Sequence, residues 1–438
     1  MNRGTVLSHW EIQSFVESLK DIDLSDIGTK CWFELHKKLI LLNQQSITEI
    51  HTSQEEYVKE WFINLHKAHL LVQNVIEIDI WKQNIFPLLI EINGEPSNTF
   101  ILYSVFYHEQ IAVSLLENIL YHVEGAEAIQ ESVLDLIDYA VHNVITFLHS
   151  TLEDHNGDIT EFNTPCLMEL TQKRSELDFD ICMRCVSILR YLSEYTDNLP
   201  LCALSRMLIV HDVPSLLIEL VKRHPWKRQD ESGNTLVFNG RWNTVTPEEG
   251  KKMCKMEGQV WIGLRELLLN PKSATYYDIN EYRFSRLLEL QKYLHEETLD
   301  QIAPLLEFRQ WLARLSVSNV SSNVQKPVLV EQLPQIRSSI LKTYKKQWRR
   351  LATHQSKLLY INNAEEVRNI AKILNNAYDF DVMIPPEERK CFQCKNIARK
   401  RCSQCKEAWY CTRNCQVKDW NSHKETCARI TMSKKEAY

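Results

Sequence analysis

Seven cysteines and one histidine close this chain in the order Cys391-x2-Cys394-x7-Cys402-x2-Cys405-x5-Cys411-x3-Cys415-x7-His423-x3-Cys427. Thiolate and imidazole are the usual ligands of tetrahedral zinc, and eight of them supply two ions with no ligand left over. Each ion is then closed by four protein atoms and keeps no open position for water or substrate, which disfavours hydrolytic zinc chemistry. The segment is too short to bury a core of its own, so its fold must come largely from coordination. Zinc is expected here as a structural element of a module that binds or braces something.

The spacing, together with the run WYCTRNCQVKDWNSHKETC from Trp409 to Cys427, resembles a MYND zinc finger. The resemblance implies interleaved ligation, with Cys391, Cys394, Cys411 and Cys415 on one zinc and Cys402, Cys405, His423 and Cys427 on the other. It also implies a protein-interaction module for short proline- and leucine-containing peptides, whose groove would use Ser403, Gln416 and Trp420. Independently, Gln416, Trp420, His423 and Cys427 fall at i, i+4, i+7 and i+11, one stripe of a helix. An aromatic on that stripe could anchor a peptide or simply roof a zinc site.

The rest of the chain must be large enough to carry such a module. With 438 residues, 44% of them hydrophobic, it can bury a sizeable core. No apolar run reaches the length of a membrane span, and the opening MNRGTVLSHWEIQSF lacks the apolar stretch of a signal peptide, so the expected compartment is cytosol or nucleus. The six cysteines outside the finger, Cys31, Cys166, Cys182, Cys185, Cys202 and Cys254, are then expected to be reduced, buried thiols. Cys182 and Cys185 form a third Cys-x2-Cys, but they lie on or beside the apolar face of a helical pattern with no second ligand pair nearby, which favours core packing.

The net charge of -6 hides an asymmetry: residues 386–438 carry 13 Lys+Arg against 6 Asp+Glu, and the first 385 residues carry 38 against 51. A basic tail suggests nucleic acid. However, seven thiolates and two zinc ions would bring the tail's +7 down to about +4, so much of its positive charge balances the metal sites. No interleaving of aromatic and basic residues beyond the finger supports strand binding, and no nucleic-acid partner is expected.

Glycine is scarce, with 10 residues and none after Gly263, a composition that favours long helices over hairpins. Leu134, Ile137, Val141, Val144, Ile145 and Leu148 mark one amphipathic face, and Val260, Trp261, Leu264, Leu267 and Leu268 another. Thr246-Pro247-Glu248-Glu249 supplies an N-cap, an N1 proline and an N3 glutamate for a helix running into the second window. His211–Trp226 places one proline at a helix start and another just past its end, as helical-repeat units do. These patterns predict an all-α body, an irregular armadillo- or HEAT-like solenoid without a strict period, followed by the two-zinc finger. One hairpin is predicted at Thr235–Val245 around Asn239-Gly240. The expected domains are a solenoid at 1–315, a linker at 316–333, a helical extension at 334–385 with helices about Gln335–Leu359 and Ala364–Tyr378, the finger at 391–427 and a flexible tail at 428–438.

Enzyme motifs fail on inspection. His108-Glu109 and His295-Glu296 each begin a zincin-like pair, but Ala112 and Leu299 stand where the second histidine is required. Gly258 and Gly263 have P-loop spacing but lead into Leu264-Arg265 inside a helical pattern. Neither a Gly-x-Ser-x-Gly elbow nor a Gly-x-Gly-x-x-Gly loop is present. MYND fingers also occur in SET-domain lysine methyltransferases and nuclear corepressors. No segment resembles the SET Asn-His-Ser/Cys motif, and Arg399-Lys400-Arg401 is too short to read as a nuclear signal.

Beyond the finger, WKQNIFP from Trp81, VLDLIDY from Val133, SRMLIVHDVPSLLIEL from Ser205 and GQVWIGLRELLL from Gly258 resemble a family of ciliary dynein-arm assembly factors that end in a MYND finger. The resemblance implies a non-enzymatic cytoplasmic adaptor that helps chaperones assemble axonemal dynein chains for motile cilia. Implied partners are a leucine-rich-repeat assembly factor bound through the C-terminal region, heat-shock chaperones or co-chaperones, and dynein chains as clients. Implied locations are centriolar satellites, dynein assembly particles or the apical cytoplasm of ciliated cells.

Overall fold

The computed structural model describes residues 7–53, 55–149, 165–230, 232–317, 332–361, 363–374, 391–394, 396–398, 400–402, 404 and 408–436. They fall into two compact units, Met1–Leu374 and Asn375–Tyr438.

Side-chain caps set where the helices of the first unit begin. Ser8 and Glu11 form a capping box for α1 (His9–Ser18), and the Thr29 hydroxyl accepts the Trp32 N–H at the start of α2 (Lys30–Thr52). After α3 (Tyr57–Asn64), α4 (Ala68–Asn84) is buried on nearly every side, so that its polar residues Asn74, Glu77, Asp79 and Lys82 are buried along with its apolar ones. Pro87, in the first turn of α5 (Phe86–Asn93), cannot continue the α4 hydrogen-bond ladder and forces the break. The chain continues through α6 (Phe100–Leu120), α7 (Val123–Ala128), α8 (Val133–His149), α9 (Cys166–Glu194) and α10 (Leu201–Ser205). A π-type turn, Arg206–Val210, leads to α11 (Val213–Arg223).

Three strands follow, β1 (Lys227–Gln229), β2 (Thr235–Phe238) and β3 (Trp242–Thr244), paired antiparallel in that order. The predicted hairpin is β2–β3, with Gly240 at φ +83° in its turn; β1 is an addition that sequence reading missed. The helices then resume with α12 (Pro247–Lys251), α13 (Lys255–Leu269), α14 (Ser273–Tyr276), α15 (Glu281–Glu289), α16 (Glu296–Gln301) and α17 (Leu305–Val317). The Thr246 capping box forms as expected, but its helix stops at Lys251. α13 starts afresh, where the Cys254 thiol accepts the Glu257 N–H at 3.4 Å.

Packing explains the solenoid pattern. α2, α6, α9, α13 and α17 contact one another in succession as one row. α4, α8, α11 and α15 form the second row, each against its neighbours in the first. Both predicted apolar faces are buried except for Ile145. Cys182 and Cys185 are fully buried in the α9 core, and burial pushes both thiols up, so neither is a ready thiolate. The expectation of six buried thiols is corrected by Cys31, which is exposed, and by Cys166 and Cys202, which are half-buried.

The segment expected as a helical extension folds back instead. α18 (Ile336–Tyr344) lies on α4, α19 (Trp348–Leu359) on α5 and α20 (Ala364–Leu374) on α2, so this strap is part of the first unit. The single helix predicted over Gln335–Leu359 is broken at Lys345–Gln347 because its two halves follow α4 and α5, which are themselves broken by Pro87. Buried Gln355 pins the strap: it accepts the Trp81 Nε1–H at 2.8 Å and donates to the Leu24 carbonyl at 2.7 Å. The Asp135 carboxylate accepts the Gln335 and Ile336 N–H groups and so caps α18. Gly28, at φ +92°, leaves room for Leu359, whose Cδ2 would lie 2.7 Å from any added Cβ. The predicted linker falls mostly outside the described residues, as do 375–390, which include the end of the second predicted helix.

Under this strap, α4 carries Glu77, which is 4% exposed, with its carboxylate accepting from Gln73 at 2.9 Å. Burial pushes its pKa up to about 8, more than the Gln73 hydrogen bond offsets, with Asp23, Asp21 and Asp26 adding to the rise. A raised acid binds its proton more tightly in the folded state. The stability this gives is therefore complete below the ordinary pKa of 4.5 and is lost as pH rises toward 8. Glu77→Gln should gain on the parent by roughly 2–3 kcal/mol between about pH 4.5 and about pH 7. Urea midpoints of the two proteins across that range check it; a constant difference would show that Glu77 is not the titrating group.

Candidate metal centre

In the second unit two short strands and one helix present the ligands. β4 (Lys400–Arg401) pairs antiparallel with β5 (Trp409–Tyr410), and α21 (Arg413–Glu436) follows. The Cys402 N–H donates to the Ala408 carbonyl at 2.9 Å, and the Phe392 N–H to the Trp409 carbonyl at 2.8 Å, which ties both knuckles to β5. The only apolar cluster among the described residues here is small: Cys391, Ala398, Cys402, Ala408, Tyr410 and Cys427 are buried, with Trp409, Cys411 and Cys415 packed against them. Half of the buried members are ligand cysteines, as expected where coordination substitutes for a core.

The ligand atoms of Cys391, Cys394, Cys411 and Cys415 all lie within 4.8 Å of one another, as do those of Cys402, His423 and Cys427. Zinc–sulfur bonds of about 2.3 Å in tetrahedral array set an S···S edge of about 3.8 Å. The structure gives 3.4 Å for Cys394–Cys411, 3.5 Å for Cys411–Cys415, 3.8 Å for Cys394–Cys415 and 3.8 Å for Cys402–Cys427. The interleaved pairing is therefore what the fold brings together, and the two donor sets fit two zinc ions. Cys405 and Ser403 lie outside the described residues.

The electrostatics favour a cation at the first site. Burial opposes ionisation of Cys391, but hydrogen bonds from the Cys411, Cys394 and Gln393 backbone outweigh it and draw the thiol down to about 6. Sharing hydrogen bonds with Cys394 and Cys415 pushes Cys411 up to about 12. Four thiolates cannot share this space without a positive ion between them.

The inward face of α21 is Cys415, Asp419, His423 and Cys427, a spacing of four throughout. Of the stripe expected from sequence, Gln416 is half-buried. Trp420 is 36% exposed, with its ring edge-on to His423 at 6.1 Å. Asp419 was missed: it is 6% exposed and accepts the Tyr410 hydroxyl at 2.7 Å, tying α21 to β5 between the two sites. Its place midway between Cys415 and His423 was the available signal. The expected flexible tail is corrected as well, since α21 runs without a break to Glu436.

No third group of converging His, Cys, Asp and Glu ligands occurs among the described residues. His36 and His108 meet at 3.0 Å through their Nδ1 atoms, but both are fully buried, and burial holds both below the usual histidine range. Among the described residues no single helix is long and apolar enough to cross a membrane.

Residues 391–427 match the MYND finger family. Zinc finger MYND domain-containing protein 10 homolog of Drosophila melanogaster is 32% identical over 446 aligned positions, covering 96% of this chain and 98% of that protein. Shorter similarities reach mouse Tudor domain-containing protein 1, at 38% over 61 residues (14% of this chain, 5% of that one), and the Arabidopsis histone-lysine N-methyltransferase ASHR1, at 39% over 46 residues (10% and 9%). No solved structure matches. With one relative aligned end to end and seven of the finger's ligands converging, the chain belongs to the family of zinc finger MYND domain-containing protein 10.

Proposed function

We propose that the protein is a non-enzymatic adaptor, a co-chaperone for the cytoplasmic preassembly of axonemal dynein arms in motile cilia. The end-to-end similarity to one MYND-finger family carries this reading, since the short matches to a Tudor protein and a methyltransferase leave most of the chain unaccounted for. Two further observations support a role in binding. The first zinc site is closed by four protein ligands, and the second joins three to the Cys405 that the finger pattern supplies, while the body offers long helical rows of the kind that present extended surfaces. The proposed partners are a leucine-rich-repeat assembly factor, heat-shock chaperones or co-chaperones, and dynein chains as clients, met in the cytoplasm. An adaptor acts by occupancy, so its loss should lower the amount of assembled product and leave no substrate unmodified. Deleting it in cells with motile cilia should leave cilia present but immotile, lacking dynein arms, with heavy chains depleted or unassembled in the cytoplasm. Normal arms in a confirmed null would reject the reading.

Within that function the finger is proposed to take a proline- and leucine-containing peptide against Ser403, Gln416 and Trp420. The half-open setting of Trp420 suits an aromatic anchor. Trp420→Ala should weaken a bound peptide by roughly 2 kcal/mol, as for other buried aromatic anchors, with both zinc ions retained. Peptide titration alongside elemental analysis decides it: unchanged affinity, or loss of zinc, would leave Trp420 as a roof over His423.

A further inference from the structure

Between Glu331 and Glu365 the chain carries seven Lys and Arg and no acidic residue, although the first 385 residues are net acidic. The fold places this segment in α18 and α19, on the outside of the strap. Two of the seven are neutralised there: Arg337 by Asp79, and Arg349 by Glu91 at 3.0 Å. Lys342, Lys345, Lys346 and Arg350 are exposed, and none meets a carboxylate among the described residues. Lys342, Lys346 and Arg350 follow one another at intervals of four, and Lys345 sits at the turn between the helices.

Two of these cations, Lys342 and Lys345, line an open groove of about 390 Å³ together with Leu341 and Trp348, and Lys346 and Arg350 lie next to them along the chain. The half-buried rings of Tyr344 and Trp348 lie 5.9 Å apart, and the Tyr344 hydroxyl donates to Asp23, which holds the aromatic wall in place. The site is thus a small apolar slot with a fixed aromatic side and unpaired positive charge on its rim. That is the complement of an acidic stretch carrying one apolar side chain.

We propose that this face of the strap docks a short acidic segment of a protein partner, seating an aliphatic or aromatic side chain between Leu341 and Trp348. The surroundings favour a peptide over a nucleic acid. Carboxylates border the patch, with Asp23 at Tyr344, Glu91 at Arg349, and Asp21 and Asp26 near Asp23. A phosphate backbone needs a continuous positive track and would be repelled within a Debye length of these groups, about 8 Å at physiological salt. A peptide a few residues long stays inside the cationic rim. The site lies within the first unit, and the inference does not depend on the dynein reading.

Fluorescence anisotropy with the full-length zinc-loaded protein tests it. The probe is a short fluorescein-labelled peptide in which glutamate alternates with leucine and phenylalanine; oligoglutamate and a single-stranded RNA of equal length are the comparisons. The apolar acidic peptide should bind best and weaken as salt is raised. The exposed charge reversal Lys345→Glu/Lys346→Glu should weaken it about tenfold or more. Leu341→Ser should weaken it several-fold without changing the salt dependence, and thermal melts of both variants should match the parent. Binding that is absent, indifferent to both variants or equal for oligoglutamate would overturn the proposal. Tighter binding of the RNA would overturn it in favour of a nucleic-acid surface.

Discussion

Cys427→Ser should leave the chain with one zinc ion instead of two and unfold the part of the finger that the second site holds, while the helical unit keeps its own cooperative transition. Cys427 is 1% exposed and its sulfur lies 3.8 Å from that of Cys402, so the hydroxyl of a serine would replace a thiolate at the centre of the second site. A structural zinc contributes on the order of 10 kcal/mol to folding its segment, far more than the few buried apolar side chains of this unit can replace. The helical unit should be spared because Met1–Leu374 is compact in its own right. Elemental analysis gives the zinc count, and limited proteolysis with thermal melts follows the two units. One zinc or none in the well-folded parent would refute the two-site assignment, and loss of the main melt in the variant would refute the independence of the units.

The metal ligands could be read from sequence because coordination fixes residue type and spacing together, and little else satisfies Cys-x2-Cys twice with His-x3-Cys behind it. One helix start was legible for a similar local reason: Thr246 satisfies the Glu249 amide three residues on, and Ser8 and Asp212, which were not read from the sequence, cap their helices in the same way. What sequence could not show was contact at long range. The bond from Trp81 to Gln355 spans 274 positions, and a glutamine in a basic amphipathic segment gives no sign that it will be buried. The same segment read as one helix because nothing local breaks it; the break is imposed by the helices beneath. Cys31 was misplaced because the type preference for burial is statistical, whereas its position on α2 is set by which face of that helix meets α6. Asp419 was overlooked because an acidic residue among basic neighbours looks like a solvated charge until Tyr410 is seen to donate to it.

A buried ion-pair network in the helical unit predicts the other large effect. Lys82 on α4 is 4% exposed and its Nζ lies 2.7 Å from Glu109 Oε2 on α6 and 2.8 Å from Asp178 Oδ1 on α9. The Tyr139 hydroxyl on α8 donates to Glu109 Oε1 at 2.7 Å, so α4, α6 and α8 meet at one fully buried carboxylate and Lys82 extends the network to α9 through Asp178. Burial alone would push the Glu109 carboxyl up and the Lys82 ammonium down. Pairing opposes the first, and for Lys82 the two carboxylates prevail and hold its pKa above the usual lysine value. Lys82→Met keeps the stem's packing but strands the Glu109 charge, and breaking such a pair from one side costs about 3–5 kcal/mol. The stranded carboxyl escapes by taking a proton, so the deficit should shrink as pH falls and grow as pH rises. Lys82→Met/Glu109→Gln should recover much of the loss, because the amide can still accept from Tyr139 and leaves no charge behind. Urea denaturation of the three variants at mildly acidic and mildly basic pH measures this. If the double variant is no more stable than Lys82→Met, or the deficit does not depend on pH, then the cost lies in packing around Lys82 and not in the charge of Glu109.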